Sequence, residues 1–217
     1  MAHPDVLRFL SAAKERFKPT KIVLLGDEID AHALSDYVHD PDGKSAGDEH
    51  IAALKGLHKL YKIFPSALVC ESNHTERPFK RAYKAGIPSR FLKSYAEILE
   101  APKHWHWADH WIADGIRFEH GESYGGRNGA ILSAEKNMRS TVIGHIHSFA
   151  GIQYFRSPER QIFGFNVGCL IDEKQYSFSY AKTMKARPSL GVGVIRNGVP
   201  HWYPMELTAR GRWTGNF

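Results

Sequence analysis

Short apolar runs that end in a polar cluster recur along this sequence, and they constrain its fold more than any other feature. The run at residues 21–25 ends at Gly26, and the run at residues 67–70 leads into Ser72. Such a run is typical of a strand buried on both faces, as in a parallel sheet covered by helices. Between the runs, apolar residues recur every three or four positions, which predicts amphipathic helices. The first half of the chain is therefore predicted to form a layered α/β core.

The pattern predicts a helix over residues 4–17, a second helix after the polar loop at 40–45, and a third from about Thr75 to Gly86. Beyond Pro102 the segments become short and rich in β-branched and aromatic residues, which favours strands. The predicted strands of this half are at residues 115–119, 141–143, 152–155, 161–170, 176–180, 191–195 and 201–205. The Asn197-Gly198 pair is a strong turn signal, so we expect antiparallel pairing near the end of the chain.

Length and composition narrow the class of protein. A chain of 217 residues fits one domain, which we predict to span residues 1–217. Hydrophobic residues at 42% and charged residues at 24% exclude a disordered chain, a coiled coil and a collagen-like repeat. No run approaches the roughly 20 apolar residues that cross a bilayer, and the start lacks the pattern of a signal peptide. We expect a cytoplasmic protein with no membrane partner, and reduced thiols at Cys70 and Cys169.

Charge and histidine content point to different kinds of partner. Twenty-nine Lys and Arg against 23 Asp and Glu give a net charge of +6, which suits an anionic partner without identifying one. Thirteen histidines are more informative, because imidazole is the commonest transition-metal ligand and a proton carrier near neutral pH.

Four polar clusters stand at or just beyond the ends of predicted strands. They are Gly-Asp-Glu-Ile-Asp at 26–30, Ser-Asn-His at 72–74, His-Gly-Glu at 120–122 and Gly-His-Ile-His at 144–147. Ligands of open α/β sheets gather at the carboxyl ends of strands, so these clusters predict one crevice suited to metal ions. The alternative for each cluster taken singly is a turn, a cap or an ordinary hydrogen-bonded histidine.

The order of these clusters over residues 4–170 resembles the calcineurin-like metallophosphoesterases, particularly their small phage and bacterial members. The Gly-His-Ile-His cluster after the strand at 141–143 is the most specific element, and Ser-Asn-His is the next. The resemblance implies a four-layered α-β-β-α sandwich, in which two packed mixed sheets are flanked by helices. It also implies two divalent metal ions and the hydrolysis of phosphomonoesters or phosphodiesters.

The same resemblance implies five metal ligands. Asp27 resembles the carboxylate that bridges the two metals. Asn73, His120 and His145 resemble the other ligands of the second metal, and His147 resembles a ligand of the first. Imidazoles, a carboxylate and an amide oxygen suit Mn, Fe, Zn or Ni. Two such metals lower the pKa of a shared water and stabilise charge on phosphoryl oxygens during in-line displacement.

Three further residues are expected near the phosphate. His74 resembles the histidine that contacts the phosphate and assists departure of the leaving group, an effect of about 10²–10⁴-fold for general acid catalysis. Asp30 and His32 are interpreted as residues that orient a ligand or touch the phosphate. Simple hydrogen bonding within the loop is the alternative for both.

The sequence departs from the family at its first motif. The family begins with a strand that ends in Asp-x-His, and no such motif precedes Asp27, so the first metal keeps only Asp27 and His147. Three explanations are open: the chain is a truncated form that lacks the first strand, His3 or Asp5 substitutes, or one ion is held firmly. We favour truncation, because losing the strand exposes an edge of a buried sheet, an edge that a homo-oligomer would cover.

Two groups of residues suggest nucleic acid as a partner. Arg77, Lys80, Arg81 and Lys84 share one face of the third helix and suit a phosphate backbone, although a solvated helix face is the favoured alternative. Trp105, Trp107 and Trp111 have the chemistry to stack on bases, but their alternation favours packing in a strand. The glycine-rich loop at 121–129 lacks the ending of a P-loop, and we interpret it as a flap over the crevice.

The leading prediction is a metal-dependent phosphoesterase that uses a metal-activated water on a phosphodiester or a nucleotide-like substrate. If the chain is encoded by a phage, it acts in the host cytoplasm. The competing hypothesis is a catalytically impaired member of the family that serves as a nucleic-acid or protein binding module. That hypothesis predicts salt-sensitive nucleic-acid binding that survives removal of the metal.

Overall fold

The computed structural model describes residues 2–36, 43–172 and 186–217. Over these ranges the chain is a mixed α/β protein with five α-helices and ten strands, which confirms the predicted class. It divides into two compact units: unit 1 comprises Met1–Thr20 and His110–Phe217, and unit 2 comprises Lys21–Asp109. One domain over residues 1–217 stays a prediction, because a single domain with two lobes and a pair of domains both divide in this way. None of the helices within the described ranges has the length and apolar content to cross a lipid bilayer.

Unit 2 contains a parallel sheet with helices. Its strands are β1 (Val23–Leu24), β2 (Ala67–Cys70) and β3 (Trp105–Ala108). Its α-helices are α2 (Ala46–Ile63), α3 (Arg77–Lys84) and α4 (Tyr95–Ile98). Short 3-10 turns occupy His32–Leu34 and Ser89–Phe91. The strand order is β1-β2-β3, and both pairings are parallel, so the carboxyl ends of the three strands lie at one edge.

The sequence explains how α2 forms and why it packs in this unit. Ser45 caps the helix, because its hydroxyl accepts a hydrogen bond from the backbone N–H of Asp48 at 3.1 Å. Leu57 and Tyr61 form the buried side of the helix, and the Tyr61 hydroxyl donates to the carbonyl of Leu99 at 2.8 Å. The Trp105 indole N–H donates to the carbonyl of Phe64 at 2.8 Å. These bonds let large aromatic side chains be buried with their polar atoms satisfied.

Unit 1 contains a mixed sheet, a hairpin and two helices. The helices are α1 (Val6–Phe17) and α5 (Gly129–Lys136). The sheet strands are β4 (His110–Ala113), β5 (Ile116–Glu119), β6 (Thr141–Ile143), β7 (Gly151–Arg156) and β8 (Gln161–Asn166), in the order β4-β5-β6-β8-β7. The central strands β5, β6 and β8 are parallel, whereas β4 and β7 pair antiparallel at the two edges. Strands β9 (Gly191–Arg196) and β10 (Val199–Pro204) form the hairpin.

An aromatic cluster holds α1 to the end of the chain within unit 1. Phe9 is fully buried and meets Trp213 edge to face, with ring centroids 5.3 Å apart. Met205 completes the buried cluster. Edge-to-face aromatic pairs are worth about 0.5–1.5 kcal/mol beyond the area that they bury. Phe9 therefore anchors the helix.

Most of the predicted helices and strands are confirmed, but two helices were not predicted and one strand is shorter than expected. The strands at 67–70 and 141–143 match β2 and β6, and the helix predicted at 4–17 is α1. Asn197 and Gly198 have φ angles of 50° and 76°, and they join β9 to β10 as predicted. Helices α4 and α5 were not predicted, and the strand expected at 161–170 ends at Asn166. The strand predicted at 176–180 lies outside the described residues.

The aromatic and cysteine residues have structural roles here. Trp105 and Trp107 lie in β3, and each donates its indole N–H to a residue of unit 2. Both side chains are therefore engaged in packing within that unit. Cys70 is a buried free thiol and Cys169 is a partly buried one. Burial raises the pKa of Cys169 to about 11, so this thiol stays protonated at neutral pH.

Candidate functional site

Two loops at the carboxyl edge of the unit 2 sheet touch each other. Asp27 follows β1, and residues 72–74 follow β2, which is the neighbouring parallel strand. The backbone N–H of Asp27 donates to the Ser72 hydroxyl at 3.1 Å. Gly26 and Asp27 have φ angles of 89° and 57°, so the chain turns sharply as it leaves β1. This turn brings Asp27 beside the loop that carries Asn73.

A compact turn presents Asn73 and His74. The Ser72 N–H donates to the Thr75 hydroxyl at 2.9 Å, and that hydroxyl donates back to the Ser72 carbonyl at 3.0 Å. Thr75 is fully buried, and Ser72 is almost so. The side chains of Ser72 and Thr75 thus fix both ends of the turn, which leaves the two predicted functional residues in its middle.

Asp30 contacts His74, the residue predicted to assist the leaving group. An Asp30 carboxylate oxygen lies 3.1 Å from His74 Nδ1 and 3.1 Å from Arg77 Nη1. Arg77 also donates to the Asp30 carbonyl at 2.7 Å. Burial raises the pKa of Asp30, but the hydrogen bond from His74 and the charges of His74 and Arg77 outweigh it, so this pKa lies below its usual value. The carboxylate is therefore ionised at neutral pH and orients the imidazole ring.

Glu28 is a partly buried acidic residue of the first polar cluster, and no sequence motif assigned it a separate role. Its Oε1 atom accepts the indole N–H of Trp107 at 2.7 Å. Burial raises the pKa of Glu28 to about 7, although the bond from Trp107 acts in the opposite direction. An Asp-Glu pair after a strand resembles an ordinary turn in the sequence, and the contact with Trp107 depends on pairing between β1, β2 and β3.

The basic face of α3 is engaged within unit 2. Arg81 donates to the carbonyls of Leu34 and Ser35, in the turn that begins at His32. Lys84 lies 2.7 Å from a carboxylate oxygen of Asp36. Lys80 pairs with Glu76 one turn earlier on the chain, and Arg77 pairs with Asp30. The four basic residues considered as a nucleic-acid-binding face thus hold the loop at 30–36 and their own helix. His32 begins the short 3-10 turn in that loop.

His120 and His145 meet at the carboxyl edge of the unit 1 sheet. Their ring atoms His145 Nδ1 and His120 Nε2 are 3.0 Å apart. The His120 carbonyl accepts the backbone N–H groups of Gly144 and His145 at 3.1 and 3.0 Å, so the loop after β6 is fastened to the loop after β5. Gly121 is required here: its φ is +96°, and a Cβ would lie 2.7 Å from Ile143 Cβ.

Asn166 holds the loop that contains the Gly-His-Ile-His cluster. The residue is fully buried at the end of β8, and its amide donates to the carbonyl of Ile146 at 3.1 Å. Its side-chain oxygen accepts the N–H of Gly168 at 3.1 Å. Asn166 was not predicted from the sequence as a functional residue, although an Asn inside the apolar run at 161–170 is the kind of buried polar group that needs a partner.

A cavity of about 210 Å³ lies beside this cluster in unit 1. Three segments line it: Gly125 and Gly126, residues 145–148, and residues 186–188. The loop at 121–129, which the sequence suggested is a flap, borders the cavity through Gly125 and Gly126. His145 and His147 line the same cavity. Arg187 was not identified from sequence, because no motif marks it.

His3 and Asp5, considered as substitute ligands, are engaged with the C-terminal segment. The His3 ring has Nε2 3.1 Å from the Gly211 carbonyl, and its Nδ1 accepts the Asp5 N–H at 3.1 Å. The Asp5 carboxylate pairs with Arg212 through two oxygens and accepts the Trp213 N–H at 3.0 Å. Both side chains thus make hydrogen bonds that fix the start of α1.

The predicted ligands divide between the two units. Asp27 and Asn73 are in unit 2, and the three histidines are in unit 1. Within the described ranges, no group of three or more His, Cys, Asp or Glu side chains is arranged to hold a metal ion. The pair of His120 and His145 does suit a metal ion. Two ligand nitrogens each lie roughly 2.1 Å from a shared ion, and nitrogens 3.0 Å apart can both reach one ion at that distance. The same separation suits an N–H···N hydrogen bond between the rings.

Comparison with known proteins adds no relative. No protein-family model matches the chain, and no curated protein matches it either.

Proposed function

We propose that the chain is a metal-dependent phosphoesterase that hydrolyses a phosphodiester or a nucleotide-like substrate. The observation that most supports the proposal is the approach of His145 Nδ1 to His120 Nε2, at 3.0 Å, where two neighbouring parallel strands end. A four-layered α-β-β-α sandwich, the arrangement that the order of motifs implies, is part of this proposal.

The ligands in the proposal are Asp27, Asn73, His120, His145 and His147. They combine a carboxylate, an amide oxygen and imidazoles, a set that suits Mn, Fe, Zn or Ni. Divalent ions held there would supply an activated water and would stabilise charge on the phosphoryl oxygens. Asn166 keeps the loop with His145 and His147 in place through its bond to the Ile146 carbonyl.

In the proposal, His74 donates a proton to the leaving oxygen. Asp30 holds the ring through Nδ1, at 3.1 Å, and thereby directs the other ring nitrogen away from itself. Arg77, which pairs with the same carboxylate, fixes Asp30 from the other side.

The proposal is tested by hydrolysis of bis(p-nitrophenyl) phosphate with added Mn²⁺, together with elemental analysis of the purified chain. We expect His145→Ala to abolish turnover and to lower the metal content. We expect Asp30→Asn to leave the metal content unchanged and to slow turnover roughly tenfold, since an oriented general acid contributes about 10²–10⁴-fold. His201→Ala removes an exposed histidine of β10 in unit 1 and serves as the matched control.

The outcomes separate the proposal from its competitor. Activity and metal content that are the same in His145→Ala and His201→Ala would contradict the proposed ligand set. A metal-free chain without activity that still binds single-stranded DNA, with an affinity that falls as salt rises, would support the binding module instead. The ion pairs made by the basic residues of α3 do not favour that second hypothesis.

A further inference from the structure

The cavity beside the Gly-His-Ile-His cluster has walls suited to an anion. Of its lining residues within the described ranges, none carries a carboxylate, whereas Arg187 carries a positive charge and His145 and His147 supply imidazoles. Ser148 adds a hydroxyl group. A guanidinium group presents planar donors that match two phosphate oxygens at once.

The backbone around Arg187 is fixed to the loop with the histidines. Two residues after Arg187, the Ser189 N–H donates to the carbonyl of His147 at 2.7 Å. The Ser189 carbonyl in turn accepts the N–H of Cys169 at 3.0 Å. These bonds tie the segment at 186–190 to two other parts of unit 1. Arg187 therefore has a defined place beside His147, although its side chain is exposed.

The cavity is smaller than most ligand pockets. Pockets that enclose drug-sized molecules usually measure about 300–1,000 Å³. At about 210 Å³ this one is smaller, so it suits a phosphate group with a small substituent better than an internal stretch of a nucleic acid.

We propose that Arg187 binds a phosphate oxygen of the substrate in this cavity, and that the substrate class is a small ester with a terminal phosphate. The assignment of the phosphate as substrate rests on the proposed function, whereas the anion site itself does not. Arg187 is then a specificity-determining residue: it holds the phosphate next to His145 and His147 and makes the same contact before and during the reaction.

The test measures binding of inorganic phosphate to the metal-free chain by isothermal titration calorimetry. We expect Arg187→Gln to weaken the affinity roughly tenfold to hundredfold, as for loss of a charge-assisted hydrogen bond. Arg187→Lys should retain part of the affinity, because it keeps the charge but not the fork of donors. With Mn²⁺ and p-nitrophenyl phosphate, Arg187→Gln should raise KM by a similar factor and change kcat little, as expected for uniform binding.

Arg156→Gln is the matched control for net charge. Arg156 ends β7, which runs antiparallel to β8, so it pairs with the first residue of β8, Gln161, and not with Asn166 at the cavity end. The strand separates the two ends by roughly 17 Å. We expect phosphate affinity in Arg156→Gln to equal that of the unmodified chain, and circular dichroism to show all three variants folded.

Three results would overturn the anion site: no phosphate binding by the unmodified chain, equal affinity in Arg187→Gln, or an equal loss in Arg156→Gln. If no phosphoester is hydrolysed with added metal but phosphate binding still depends on Arg187, the proposed function is overturned and the anion site is not. Hydrolysis that persists unchanged in Arg187→Gln, with equal phosphate affinity, would remove the role of Arg187 and leave the proposed function intact.

Discussion

A buried side-chain amide positions the histidine loop of unit 1. Asn166 is fully buried, and it uses both ends of its amide: the NH₂ group for the Ile146 carbonyl and the oxygen for the Gly168 N–H. A buried polar group that loses its partner costs about 1–3 kcal/mol, more than an exposed one. The residues that hold a site in place are therefore expected to affect stability as well as activity.

Asn166→Ala should lower the free energy of unfolding by roughly 2–4 kcal/mol, because it leaves the partly buried Ile146 carbonyl and the buried Gly168 N–H without their partners. Urea denaturation measures the change. Asn137→Ala is the control, since the Asn137 amide also donates to a backbone carbonyl, that of Ser133, but the residue is exposed at the end of α5. We expect the control to lose less than about 1 kcal/mol. Equal losses in the two variants would argue against a special role for Asn166.

The sequence identifies some site residues better than others. His120, His145 and Asp27 are recognisable because each follows a segment that was predicted to be a strand and that forms one. Asn166 and Arg187 are not, since their roles come from contacts made across the fold: with the Ile146 carbonyl, and with a cavity that three separate segments build. Local spacing carries no information about such partners.

At the scale of elements, a glycine lets two segments approach each other beside the cavity. Gly168 has a φ of +75°, and a Cβ at this position would lie 2.2 Å from the Ser189 carbonyl oxygen. Gly198, in the turn between β9 and β10, has a nearly equal φ of +76° but no atom within 4 Å of such a Cβ. Substitutions at Gly168 and Gly198 therefore distinguish the cost of backbone strain, which both share, from the cost of steric contact, which only Gly168 has.

Gly198→Ala should cost roughly 1–2 kcal/mol, the usual penalty for a side chain in the left-handed region. Gly168→Ala should cost clearly more, because the segment at 186–190 must also move. Thermal unfolding of the two variants measures the difference. Gly168→Ala should in addition weaken phosphate binding through displacement of Arg187, whereas Gly198→Ala should leave it unchanged. A phosphate affinity that is the same in both variants would show that Arg187 does not depend on this contact.

The elements that the sequence did not predict depend on distant packing. Helix α5 begins at Gly129, a poor helix former, and it lies so close to β8 that a Cβ on Gly164 would be 2.2 Å from the Ile131 nitrogen. The approach of helix to strand, and not local propensity, explains this helix. Likewise, the apolar run at 161–170 continues past the strand, but Asn166 bonds to its surroundings and Gly168 turns the chain.

Residues from the two ends of the described chain contact each other and close unit 1. Asp5, just before α1, pairs with Arg212 and accepts the backbone N–H of Trp213 at 3.0 Å. Next to this pair, Phe9 and Trp213 form the buried aromatic cluster. The sequence predicted α1 from its periodicity but not this closure, because a pairing between residues 5 and 212 leaves no local pattern. The ion pair therefore links an early element of the chain to its last segment.

The Asp5 pair should make stability depend on pH. The hydrogen bond from Arg212 is the main reason that the pKa of Asp5 lies well below its usual value; burial opposes it, and the Trp213 N–H adds to it. A carboxyl with a depressed pKa in the folded state stabilises the fold above its unfolded pKa of about 3.9, and this stabilisation is lost as pH falls through the folded pKa. The contribution of Asp5 is thus complete near neutral pH and declines in acid.

Asp5→Asn should lower the free energy of unfolding by about 1–3 kcal/mol at pH 7, the range for hydrogen bonds to a charged group. The difference from the unmodified chain should shrink steadily between pH 4 and pH 2, since protonation of Asp5 has the same effect as the substitution. Urea denaturation across this pH range measures both curves. Glu15→Gln removes an exposed carboxylate of α1 and should change stability by less than about 0.5 kcal/mol at every pH. A difference between Asp5→Asn and the unmodified chain that stays constant from pH 7 to pH 2 would show that packing, and not the charge of Asp5, closes unit 1.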